Sequence, residues 1–172
     1  MEEIDMYISL ILYGILLILA IHGVHNFKEL GFRETRFLSE WKISLLGVFA
    51  IFLMSFLIIF VWYLIGFETD LSPMKEVIEK NNAAQILTIL CVGSFVEEIF
   101  FRGFLLKRIG LVASSFIFAY FHVIYGSLGE VIVAFFAGLI LGKIFILRKN
   151  IVAPILAHLQ FNLLSFALAM LG

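Results

Sequence analysis

The chain has 172 residues, 63% of them hydrophobic and 15% charged, with a mean hydropathy of +1.11. Soluble globular domains are about 45–50% apolar and about 25% charged, so this composition excludes that class and points to a membrane protein. A formal net charge of −1, with no Lys/Arg cluster among aromatics, excludes nucleic acid as a partner.

A membrane-spanning helix needs roughly 20 mainly apolar residues. Six runs approach that length, at 6–24, 43–66, 84–106, 111–125, 129–147 and 152–171. They predict an all-α fold: a polytopic membrane protein with a bundle of about six transmembrane helices, in one integral membrane domain over residues 1–172.

The first run follows an acidic start, "MEEID", and shows no small-residue cleavage site, so it reads as a span and not as a signal peptide. His22 and His25, at or beyond its end, read as interfacial. The connection 25–42 is polar and mixed in charge. In the connection 67–82, Ser72 can cap a short helix with Pro73 at its first position. Met74, Val77 and Ile78 would then share one face on the membrane surface, and an ordinary solvated loop fits equally well. Cys91, the single cysteine, excludes an internal disulfide and reads as a small buried apolar side chain. In the fifth run, Gly138 and Gly142 form a G-x-x-x-G suited to close helix packing within the chain.

Orientation follows from the loop cations. Lys28, Arg33, Arg36, Lys42, Lys107, Arg108, Arg148 and Lys149 fall on one side, against Lys75 and Lys80 on the other. The richer side should be cytoplasmic, with both termini outside the cell membrane.

The third run carries Glu97, Glu98 and Arg102. Glu97 precedes Lys107 by ten residues, which places it about 15 Å below the cytoplasmic end. A charge at that depth costs at least about 2.5–3.5 kcal/mol. Glu98 and Arg102, at i,i+4 with the acid first, can pair and so read as support. Glu97 points elsewhere around the helix, and an intramembrane carboxylate without a local partner is read as functional. His122 in the fourth run, and His158 with Asn162 in the sixth, come to depths of about 16, 10 and 16 Å by the same count. Glu97, His122, His158 and Asn162 thus come from three helices at similar depth. Pro154 falls near the start of its helix, where a missing N–H costs little.

A Glu beside His groups and one water can carry out general-base hydrolysis. Other intramembrane protease chemistries fail on the residues. Asp5 and Asp70 lie outside the spans, and neither H-E-x-x-H nor G-x-S-x-G occurs. Ser94, one turn before Glu97, reads as bonded back to a helix carbonyl.

"EEIFFR" (Glu97, Glu98, Arg102) fits E-E-x-x-x-R, "FAYFH" (Phe118, His122) fits F-x-x-x-H, and "HLQFN" (His158, Asn162) fits H-x-x-x-N. In this order the motifs resemble the CPBP family, which includes CAAX prenyl endopeptidases and Abi-type bacteriocin-processing and self-immunity proteins. The resemblance covers residues 84–172. It implies a glutamic-type intramembrane endopeptidase in which Glu97 with His122 activates water and His158 with Asn162 stabilises the oxyanion. Glu98 and Arg102 would order the site. Glu97 with two His could in principle hold zinc. His158 and Asn162 serve better as donors to developing negative charge, so no metal and no cofactor are expected. The chain is short for a prenyl-protein endopeptidase, so the expected substrates are peptides or membrane-protein tails. Two other functions use the same residues: a non-hydrolytic immunity or scaffold protein, and a proton or ion relay.

Overall fold

The computed structural model describes residues 2–67 and 79–171. Among the described residues there are six helices and no strand. Helix α1 covers Glu2–His22 and is followed by a 3-10 turn at Phe27–Leu30. Helix α2 covers Phe37–Leu64 and α3 covers Ala83–Ile109. Helix α4 is Leu111–Phe121, continued by a 3-10 turn at His122–Tyr125. Helices α5 and α6 are Leu128–Arg148 and Val152–Ala169. The fold is the expected all-α, membrane-type bundle. The surface helix expected around Ser72 to Ile78 lies outside the described residues.

Helices α2, α3, α5 and α6 are long and apolar enough to cross a membrane, while Tyr7–His22 and Leu111–Phe121 are shorter apolar helices. The outer surface fits that environment: Phe49, Phe56, Phe116 and Leu147 are all exposed. Helix α2 begins at Phe37 and not at 43, because its polar first turn is held by tertiary contacts. The buried Glu40 accepts from Thr35 Oγ1 at 2.7 Å and pairs with Arg148, at the end of α5, at 2.6 Å. Cys91 is exposed, not buried as expected. A surface thiol is tolerated where the surroundings of the bundle are themselves apolar.

Two of the three apolar interiors among the described residues lie around the site. Tyr13, Leu16 and Ala20 of α1 pack with Val96, Ile99 and Phe100 of α3 and with Phe118 of α4. Val48 and Ile51 of α2 pack with Ala137 and Leu141 of α5 and Ala157 of α6. Helix α6 touches α2, α3 and α5. Gly138 and Gly142 play the expected packing role: a Cβ at Gly138 would lie 3.0 Å from Ser115 Cβ on α4, and one at Gly142 would overlap Leu111. These small residues bring α5 against α4, and the polar residues of four helices converge beside that contact.

Candidate active site

Helix α3 starts from a reciprocal cap. Asn82 Oδ1 accepts from Gln85 N at 3.0 Å, and Gln85 Oε1 accepts from Asn82 N at 2.9 Å. Regular α-helix runs from there to Glu98, and the stretch Ile99–Leu105 is π-helical. The wider turn begins directly after the two acids, and π-turns of this kind are frequent at functional sites. Gly103 lies in it beneath the 3-10 turn of Phe27–Leu30, where a Cβ would come 2.8 Å from Leu30 O.

Glu98 is fully buried and Arg102 is 2% exposed. Arg102 Nη1 lies 2.7 Å from Glu98 Oε1, an ion pair whose angle falls outside hydrogen-bond limits. The same Oε1 accepts from His158 Nδ1 at 2.9 Å. Glu98 therefore joins α3 to α6 as well as pairing along its own helix. Glu98 Oε2 has no hydrogen-bond donor among the described residues.

Phe118 lies at the centre of this cluster. Its ring carries the Arg102 guanidinium 4.2 Å from the centroid, and it meets the His158 ring edge-on at 5.8 Å. One turn later, His122 Nδ1 donates to Phe118 O at 2.8 Å, with its ring 4.6 Å from that of Phe118. The carbonyl can only accept, so Nδ1 carries the proton and Nε2 is the acceptor of a neutral His122 ring. The F-x-x-x-H spacing thus has a direct physical meaning: one residue supports the arginine and fixes the histidine tautomer.

Asn162 Nδ2 donates to Ser94 Oγ at 3.0 Å, and Ser94 Oγ donates to Leu90 O at 2.7 Å. Ser94 is bonded back to its helix, as its position suggested, and it also orients Asn162. Glu97 Oε2 stands 3.9 Å from His158 Nε2, with 14% of its side chain exposed. At that separation one water can hydrogen-bond both groups from the side.

A cavity of about 70 Å³ is lined by Phe118, His122, Glu130, His158 and Asn162, with apolar groups such as Ala137 completing it. That volume accommodates about two waters. Of the residues singled out from sequence, His122, His158 and Asn162 line the cavity, while Glu97, Glu98, Arg102 and His158 form the charged cluster beside it. Among the described residues, no three His, Cys, Asp or Glu side chains are grouped so as to hold a metal ion.

Sequence reasoning missed two features: the hydrogen bond from His158 to Glu98, and Glu130. Glu130 sits in the first turn of α5 and shares its cavity-facing side with Val133, Ala134 and Ala137. The i, i+3, i+4, i+7 spacing was the available signal.

No curated protein and no solved structure gives a significant match to this chain. A family model described as Rce1-like, type II CAAX prenyl endopeptidase Rce1-like, matches residues 79–164, half of the chain. That stretch holds all three motifs, from Glu97 to Asn162. The chain is a multi-pass membrane protein and belongs to the Rce1-like family of type II CAAX prenyl endopeptidases.

Proposed function

We propose that this protein is a metal-independent intramembrane endopeptidase of glutamic type, acting on peptides or membrane-protein tails. Glu97 serves as the general base. The attacking water gives one proton to Glu97 and directs its other hydrogen to Nε2 of neutral His122, which leaves an oxygen lone pair for the substrate carbonyl carbon. As the new C–O bond forms, the carbonyl oxygen becomes an oxyanion. Asn162 has a second amide N–H beyond the one given to Ser94, and this stabilises the oxyanion. His158, held through Nδ1 by Glu98, contributes a further donor from Nε2 when its ring is charged. The intermediate collapses as Glu97 returns its proton to the leaving amine and the C–N bond breaks.

The observation that carries this reading is the 3.9 Å separation of Glu97 Oε2 from His158 Nε2, with the other ring nitrogen bonded to Glu98. Base and oxyanion donor are thereby close enough to act on one bound water and the carbonyl it attacks. His158 and Asn162 are better used as donors to the developing oxyanion, which favours chemistry without a metal. Membership of the family supports hydrolysis over the relay and scaffold readings.

The test is hydrolysis of a quenched peptide library by purified protein in detergent. The parent should cleave a subset, and Glu97→Gln should abolish cleavage with membrane yield and thermal stability nearly intact. A fully active Glu97→Gln variant would refute the assignment of the base. Proton flux into liposomes, with no cleavage, would establish the relay instead.

A further inference from the structure

Glu130 has no place in the scheme above, yet it lines the same cavity as His122, His158 and Asn162. A carboxylate in the first turn of a helix complements the helix dipole, and that accounts for an acid at this end of α5. It does not account for the placement of the side chain, on the face of α5 that carries the cavity residues Val133, Ala134 and Ala137. The start of α5 is also packed on one side: a Cβ on the neighbouring Gly129 would lie 3.1 Å from the indole of Trp62, near the end of α2.

Among the described residues Glu130 has neither a hydrogen-bond partner nor a cation within ion-pair distance. The two imidazoles of the cavity are held elsewhere, His122 on Phe118 O and His158 on Glu98. A partly enclosed carboxylate without a counter-charge gains most from a ligand that brings one.

We propose that Glu130 is a specificity residue that receives a positively charged nitrogen of the substrate close to the scissile bond. This rests on the peptidase reading of the site. Glu130 and Ala137 are two turns apart on α5, about 10 Å along the axis. Ala137 shares a core cluster with Ala157, the neighbour of His158, and lines the cavity with His158, so it marks the level of the proposed chemistry. An extended peptide advances about 3.3 Å per residue, so the cation belongs within about three positions of the scissile bond. A lysine or arginine side chain and a free amino terminus share this chemistry.

The experiment compares kcat/KM for fluorogenic peptides carrying Lys, norleucine or Glu at each position flanking the cleaved bond. A second set has free or acetylated amino termini around a norleucine sequence, which separates the two sources of the cation. A hydrogen bond to a charged group in such a site corresponds to roughly tenfold to hundredfold discrimination. The parent should therefore prefer Lys over norleucine at one position, or the free terminus over the acetylated one, by at least about tenfold. Glu130→Gln should bring that ratio to near unity, and Glu130→Lys should turn the preference toward Glu.

Cleavage by the parent without any cationic preference would overturn the inference and leave the peptidase reading standing. A preference that persists in Glu130→Gln, or a uniform loss on every peptide, would also overturn it. If the parent cleaves nothing, the peptidase reading fails. Direct binding of the Lys and norleucine peptides then decides the role of Glu130. Tighter binding of the Lys peptide by the parent but not by Glu130→Gln upholds Glu130 as the receptor of a ligand cation, and equal binding refutes it.

Discussion

Glu98→Gln removes one negative charge while keeping nearly the same shape. The carboxylate is fully buried, 2.7 Å from Arg102 Nη1 and 2.9 Å from His158 Nδ1. A glutamine oxygen can still accept from one of them, but it places no charge beside a guanidinium that is 2% exposed. Breaking a buried pair from one side costs about 3–5 kcal/mol, because the surviving charge stays desolvated. For a chain of this size each kcal/mol lowers Tm by about 2–4 °C, so the loss should be roughly 6–20 °C. Trp41 and Trp62 allow this to be followed by intrinsic fluorescence in detergent. Replacing both partners, as Glu98→Gln with Arg102→Met, leaves no orphan charge and should be more stable than the single variant. Glu97→Gln is the control, since Glu97 is less buried and 3.9 Å from its nearest ionisable partner. A Tm for Glu98→Gln within about 2 °C of the parent, or a double variant no better than the single one, would refute the reasoning.

Asn162→Ala should lower turnover by about 10²–10³-fold with little change in KM, and Asn162→Asp should do no better, since its charge repels the oxyanion. An Asp variant as active as the parent would show that Asn162 only fills space. Ser94→Ala, which removes the acceptor orienting Asn162 at 3.0 Å, should reduce kcat more than KM, and an unchanged kcat would remove that role. Cleavage should survive prolonged treatment with a strong chelator, and loss restored by added zinc would overturn metal independence. A reporter fused after Gly172 should appear outside the cell and one in the 148–150 loop inside, following the eight-to-two distribution of loop cations.

The helices were legible because membrane-type runs announce themselves by length, and the six runs correspond to the six helices. The meeting of Glu97, His122, His158 and Asn162 was legible because helical rise converts sequence offset into depth. Depth says nothing about rotation, so the bond between Glu98 and His158 was hidden: it depends on how α3 and α6 face each other. The π-helical turn at Ile99–Leu105 was hidden too, since its residues are as apolar as those of a regular span. Glu130 escaped notice for a different physical reason. An acid near the end of a span has an ordinary explanation at the interface, and only the cavity reveals which way its side chain lies.

In the mechanism proposed above, the two adjacent acids of α3 divide between them tasks that one could not perform together. A base must be able to gain and lose a proton, which a carboxylate locked against a guanidinium does poorly. Glu98 takes the arginine and the histidine and is fully enclosed, whereas Glu97, one residue earlier, keeps partial exposure and a looser contact. Because Glu98 binds His158 across to α6, and Phe118 of α4 supports both Arg102 and His158, the charged cluster is complete only when three helices have docked. Unpaired, each of these charges would be costly in a bilayer. The same electrostatics that stabilise the assembled bundle therefore disfavour partly docked forms, in which Glu97, the proposed base, would lack the proposed oxyanion donors. On this reasoning the support residues do more than hold geometry. They make the assembly of the helices a precondition for the proposed chemistry.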